Sequence, residues 1–199
     1  MNAVHQHVVF SRRTRVLAER LCTSLAGLSN VLDVGCGDGT IAALIGATVP
    51  GLSLRGIDVL VRPSTKIPVE PFDGKHLPLA DSSVDAVMFI DVLHHTDNPM
   101  VLLREANRVA RRLILIKDHT MNGPLAYSTL RFMDWVGNAQ HGVALPYNYW
   151  TEQRWREAVG ALGMKITRWD SRLGLYPFPA SLVFERGLHF IAALAPSPA

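Results

Sequence analysis

The stretch VLDVGCGDGT, residues 31–40, constrains this chain more than any other. Val31–Val34 reads as a buried strand. Three glycines within five positions then make a turn, because glycine enters left-handed backbone without a steric penalty. A short helix carrying Ile41, Leu44 and Ile45 follows, ending near Pro50-Gly51. Strand, glycine turn and helix open an α/β unit of the kind that builds parallel sheets. Ligands of such sheets sit beyond the carboxyl ends of the strands.

What this turn holds follows from its spacing and charge. A pyrophosphate-binding turn reads G-x-G-x-x-G/A. Here the order is Gly35-Cys36-Gly37-Asp38-Gly39-Thr40, so the third glycine comes one place early and Thr stands at the sixth position. Asp33 and Asp38 would also repel a phosphate in a poorly solvated pocket. S-adenosylmethionine (SAM) fits better. It has a sulfonium and an ammonium for the carboxylates, and one carboxylate for the N-terminus of the following helix.

The rest of the chain reads as one domain over residues 1–199. Ser11 caps a helix with Leu17, Leu21 and Leu25 on one face beside Val16. Residues 52–58 form a second strand. Three prolines, Pro63, Pro68 and Pro71, exclude a continuous helix from 59–74. VDAVMFI (84–90) and LILIK (113–117) are buried strands. Between them lies a helix capped by Asp97 or Asn98, with Pro99 in its first turn and Leu102, Leu103, Ala106 and Val109 on its core face. Thr151 caps a helix through Trp155, Val159 and Leu162 that stops at Gly163, and 164–170 and 187–194 are closing strands. The expected fold is therefore a Rossmann-like, doubly wound, mostly parallel sheet with helices on both faces.

Residues 118–150 are too long for an ordinary connection and are expected to be an inserted substrate lid with a short helix around 124–136. All four Trp and all four Tyr lie between residues 127 and 176. Tyr127, Trp135, His141, Tyr147 and Tyr149 are the candidate acceptor-facing residues, suited to an apolar, aromatic or lipid-like small molecule.

With these residues in view, the chain resembles the class I SAM-dependent methyltransferases of the type 11, small-molecule kind. D-x-G-x-G-x-G is complete at Asp33, Gly35, Gly37 and Gly39. GIDV (56–59) is similar to the end of the family's second strand, and DGKHLPLADSSVDAV (73–87) to its third-strand signature. FIDVLHH (89–95) is similar to its fourth-strand end. The resemblance covers 31 to about 117 and implies a seven-stranded sheet. It also implies SAM as cofactor, S-adenosyl-L-homocysteine as product, and cofactor contacts from Asp33, Gly35, Cys36, Gly37, Asp58, Val59, Asp73, Gly74 and Asp91. Asp58 inherits the ribose hydroxyls, and Asp73 with Gly74 the adenine edge. Two departures stand out. Proline-rich chain replaces the helix expected between the second and third strands, and no N-P-P-Y follows the fourth, which argues against amide or nucleobase nitrogen acceptors.

The catalytic candidates are His119, just past the fifth strand, and His95. For His94 and His95 a structural or cofactor-positioning role is the stronger reading. Asp118 need not orient His119, since adjacent residues on extended chain point apart. His5, His7, His141 and His189 have no metal spacing, nor do Cys22 and Cys36, so no metal is expected. Net charge is only +3, and the basic clusters 12–15 and 111–112 lack interleaved aromatics, so no nucleic-acid partner is expected. No apolar run spans a bilayer and no secretory segment is recognisable, so a cytoplasmic enzyme is expected. Its partner is a small-molecule substrate, and a homodimer stays open. The leading function is methyl transfer to a small-molecule hydroxyl. The rivals are an NAD(P)-dependent oxidoreductase and a non-catalytic SAM-binding partner subunit.

Overall fold

The structure, a computed structural model, describes residues 3–138 and 145–197. Seven strands form one sheet: β1 (Asn30–Val34), β2 (Ser53–Asp58), β3 (Val69–Pro71), β4 (Val84–Ile90), β5 (Ala110–His119), β6 (Lys165–Asp170) and β7 (His189–Ala195). Their order is β3-β2-β1-β4-β5-β7-β6. Strands β1 to β5 pair in parallel, and β7 runs antiparallel between β5 and β6. The order reverses beside β1, where β2 and β4 lie on opposite sides of it, so the crevice at the ends of β1 and β4 is the switch point where ligands bind.

Each face carries its own core. On one side α1 (Ala3–Leu25) and α2 (Thr40–Thr48) cover Val31, Ala86, Met88, Leu115 and Ile191. On the other, α3 (Pro99–Val109) and α5 (Glu152–Ala161) cover Leu32, Val87, Phe89, Ile114 and Phe190. Successive strand residues therefore feed opposite cores, which is why these strands read as unbroken apolar runs. Asn98 is the cap of α3, its side chain accepting from Met100 N, and Pro99 opens the helix. Thr151 caps α5 by accepting from Arg154 N. Two further helices, α4 (Ala126–Asn138) and the single turn α6 (Ser181–Phe184), stand outside the two cores.

Three expectations need adjustment. Ser11 lies inside α1, because nothing in residues 3–10 breaks the helix and the chain has no need of a cap there. Strand β5 runs on to His119, held by pairing of Asp118 with Phe190 and of His119 with His189, so residues 118 and 119 belong to the sheet and not to the insertion. The helix of the insertion is Ala126–Asn138, two residues later than expected, and His141 lies outside the described residues.

The missing helix is replaced in two ways. Ile67, from the proline-rich segment, lies over Gly39 and Gly56 on the α2 side. On the other side Phe72, Leu77 and Leu79 pack into the core. Arg108 of α3 clasps that loop, donating to the carbonyls of Leu77 and Leu79 and to Asp81, while Glu105 accepts from Leu77 N. No described helix is long and apolar enough to cross a membrane.

Candidate active site

Strand β1 delivers Asp33 and the glycine turn to the switch point. Gly35, Gly37 and Gly39 all have left-handed φ, of 70°, 61° and 75°. Two of them also lack room for a side chain: a Cβ on Gly35 would lie 2.7 Å from Val92 Cγ2, and one on Gly39 2.5 Å from Ile67 Cγ1. Gly35 N donates to Ile57 O at 2.8 Å, and Gly37 N to Asp58 Oδ2 at 2.8 Å, so the turn is braced by the end of β2.

Asp33 is 2% exposed, and its Oδ1 has no hydrogen-bond partner among the described residues. Burial, with the charge of Asp58 nearby, pushes its carboxyl up to about 8. A buried, unpartnered acid at the base of the turn is a receptor for positive charge, and the cationic centres of SAM suit it. A pyrophosphate would meet repulsion there. Asp38 does not share this role. It is exposed, and its carboxylate is engaged by Thr40 N at 3.0 Å and Thr40 Oγ1 at 2.7 Å at the start of α2. Cys36 lies beneath the turn against Gly56, and burial with the nearby acids pushes its thiol up to about 12.

The second and third strand ends meet. Asp58 Oδ1 accepts from Leu60 N at 2.9 Å. Val59, exposed at 65%, faces Gly74, where a Cβ would lie 3.1 Å from Val59 Cγ1. Asp73 is exposed, and its carboxylate is engaged within its own turn by Lys75 N, His76 N and His76 Nδ1. The His76 hydrogen bond is the main reason its carboxyl is held below the usual range.

The ends of β4 and β5 hold a buried polar cluster that sequence reading glimpsed only in part. Asp91, at a left-handed φ of 55°, turns back and pairs with Arg13 of α1 and Lys117 of β5. Strain of this kind in a non-glycine residue persists where the surroundings over-determine it. Lys117 is fully buried, and desolvation lowers its ammonium below the usual range despite Asp91. His119 is 6% exposed, not a solvated loop residue: its Nδ1 lies 3.1 Å from His189 Nδ1 and its Nε2 3.5 Å from Asp91 Oδ1. Desolvation and the neighbouring cations hold it neutral.

Beside it, His94 on the 3-10 turn Leu93–His95 bridges two carboxylates, Asp118 Oδ1 at 2.6 Å and Asp134 Oδ1 at 3.2 Å. Desolvation opposes its charge, but the two acids win and push it up to about 10. His95 Nε2 is 3.7 Å from the same Asp134 oxygen, its Nδ1 is buried without a described partner, and burial lowers it. Asp118 accepts from His119 N and from Leu93 N and so ties β5 to the 3-10 turn, not to the His119 ring. Ligand-type atoms of His94, His119 and Asp134 all lie within 4.8 Å of one another. Sequence spacing could not reveal this trio, because its members come from three elements up to 40 residues apart.

The aromatic candidates divide. Tyr149 is buried and donates to Asp134 Oδ2 at 2.7 Å. Tyr127, Trp135 and Tyr147 instead line an open groove of about 410 Å³ along α4, with Ser128, Arg131 and Phe132. Tyr149 separates this groove from the cluster, its ring centroid 6.0 Å from that of Tyr127 and 6.4 Å from that of Tyr147. Trp150 and Trp155 belong to the sheet core.

Residues 32–113 match the family described as Methyltransferase domain. Methyltransferase GfsG of Streptomyces halstedii is 36% identical over 112 residues, which are 50% of this chain and 40% of that protein. The chain thus spans well under two thirds of that relative's length. Among solved structures, the methyltransferase bound to the Trm112 methyltransferase activator of Haloferax volcanii superposes with a TM-score of 0.70 at 15% identity, covering 99% of this chain and 95% of that one. The [4+2]-cyclase SpnF superposes with a TM-score of 0.67 at 16% identity, covering 93% and 81%. At such identities the structures speak for the fold, while the matched segment and its motifs speak for the family. Residues 32–113 are thus similar to the methyltransferase domain, set in a Rossmann-like α/β fold that solved methyltransferases share.

Proposed function

We propose that this protein transfers a methyl group from SAM to a hydroxyl of a small apolar or aromatic acceptor. The observation that carries the reading is Asp33, a buried carboxyl without a partner at the base of a turn that only glycines can line. Asp33, Gly35, Gly37, Asp58 and Val59 would hold the cofactor, with Gly74 and the turn of Asp73 closing its far side. Bound there, SAM supplies an electrophilic methyl on a positively charged sulfur. The chain's part is to align an acceptor oxygen behind that carbon and to exclude water, and alignment alone is worth up to ~7–11 kcal/mol in favourable cases.

The acceptor comes from the α4 side. The groove between Tyr127, Trp135 and Tyr147 offers flat apolar walls, and His95 and His119 lie as neutral imidazoles at the strand ends below it. Bound SAM would supply the methyl and leave as S-adenosyl-L-homocysteine, and the neutral His95 imidazole would take the proton of the acceptor hydroxyl. The name of the Streptomyces relative supports methyl transfer. The cyclase on the same fold favours one competing reading, in which the pocket serves another reaction.

The test has two stages. Calorimetry should show SAM binding and negligible NAD(H) binding, and tighter NAD(H) binding would remove the reading at once. Labelled-methyl transfer is then screened over apolar and phenolic alcohols. With a working acceptor, Tyr147→Ala and His95→Ala should each lower turnover while SAM affinity holds. Turnover untouched in both would leave the α4 groove without a role in the acceptor site.

A further inference from the structure

We propose that His94, His119 and Asp134 form a binding site for one divalent transition-metal ion beneath the acceptor groove. The three side chains arrive from the 3-10 turn after β4, the end of β5 and the middle of α4. They are 1%, 6% and 6% exposed. Two ligands of one ion at about 2.0–2.2 Å stand roughly 3 Å apart. His94 Nε2 and Asp134 Oδ1 are already at 3.2 Å, and the whole set lies within 4.8 Å. A small shift of the three side chains toward one another closes the remaining gap.

Hydrogen bonding around the trio aims the right atoms inward. The carbonyl of Phe184, 2.9 Å from His189 Nε2, can only accept, so that nitrogen carries the proton. His189 Nδ1 is then an acceptor, as its contact with the Lys117 ammonium at 3.5 Å also requires. His119 Nδ1 must therefore donate to it across 3.1 Å, which leaves a lone pair on His119 Nε2. That lone pair has no proton to offer Asp91 Oδ1, 3.5 Å away, so the contact is repulsive, and a cation bound to Nε2 relieves it. In the same way Asp118 takes the proton of His94 Nδ1 and directs Nε2 toward Asp134, and the ion displaces the second proton that Nε2 otherwise shares with Asp134 Oδ1. The Tyr149 hydroxyl occupies Asp134 Oδ2 and leaves Oδ1 facing the histidines. Each ligand thus has a dedicated outer partner, the arrangement that fixes tautomer and ring orientation in metal sites.

Two imidazoles and one carboxylate suit Zn²⁺, Co²⁺, Fe²⁺ or Mn²⁺ better than Mg²⁺ or Ca²⁺, which prefer all-oxygen sets. Three protein ligands leave a position open. An acceptor oxygen that reaches past Tyr149 would take that position, its proton passing to water as the ion stabilises the alkoxide. This role rests on the hydroxyl-methylation reading. The binding of the ion does not.

The experiment uses the whole chain, stripped with a chelator, without SAM or acceptor. Zn²⁺ is titrated calorimetrically, and Co²⁺ is followed by its visible absorption, with Mg²⁺ as competitor. The expected result is one Zn²⁺ or Co²⁺ per chain, undisturbed by Mg²⁺, with a Co²⁺ spectrum free of thiolate charge-transfer bands. Asp134→Asn and His119→Gln, both close in size, should each weaken binding at least tenfold. Circular dichroism shows whether each variant is folded, and a folded one decides if the other is not. Folded wild-type protein that takes up neither ion overturns the proposal. So does unchanged affinity in a folded variant, or thiolate bands pointing to Cys36 or Cys22. A protein that binds the metal but not SAM would overturn the methyl-transfer reading and leave the metal site standing.

Discussion

Asp33→Asn tests the electrostatic argument for the cofactor pocket without touching its shape. The Asp33 carboxyl is pushed from an ordinary 3.8 up to about 8 in the folded chain. At about 1.4 kcal/mol per pH unit, ionising it in the unliganded protein costs up to roughly 5–6 kcal/mol. The folded pKa lies above the unfolded one, so the native state holds the extra proton. Its contribution to stability is complete below about pH 4, is lost progressively as pH rises toward 8, and changes no further above that. Asparagine cannot ionise and escapes the loss. Urea unfolding of both proteins across about pH 5 to 9 should therefore show the variant gaining on wild type as pH rises, with the difference levelling off above about 8. Even a third of the estimated span exceeds the error of such midpoints. Parallel curves would refute the reasoning, because they would mean that the carboxyl is hydrated or paired. The same variant should bind SAM more weakly, by about 1.5–3 kcal/mol for a lost charged partner.

Two further outcomes bear on the same pocket. Asp58→Ala should weaken SAM binding more than Asp73→Ala, because Asp58 also braces Gly37 whereas Asp73 is engaged within its own turn; calorimetry of both decides, and equal losses would contradict the geometry. Gly56→Ala places a Cβ 2.2 Å from Cys36 Sγ, so overpacking should cost about 1–3 kcal/mol in chemical denaturation and distort the turn. Adding Cys36→Ala should recover much of that loss, and a double variant no better than the single one would show that the strain lies elsewhere.

Sequence alone carried the left half of the sheet. The apolar runs at β1, β4 and β5, the Asn98 and Thr151 caps and the Gly35–Gly39 turn are local signals, each set by periodicity, capping chemistry or positive φ within a few residues. They sufficed to place Asp33 and Asp58 at neighbouring strand ends and to argue for a cationic ligand. Only the tertiary structure decided which of the acids is buried and unpaired. Asp33 and Asp38 look alike in the string, but one is buried on a central strand and the other is exposed and accepts from Thr40. The cluster below the groove was illegible for a further reason. Arg13, His94, Asp118, Asp134, Tyr149 and His189 belong to different elements, and their charges and tautomers are set by burial together, a property that no local pattern encodes.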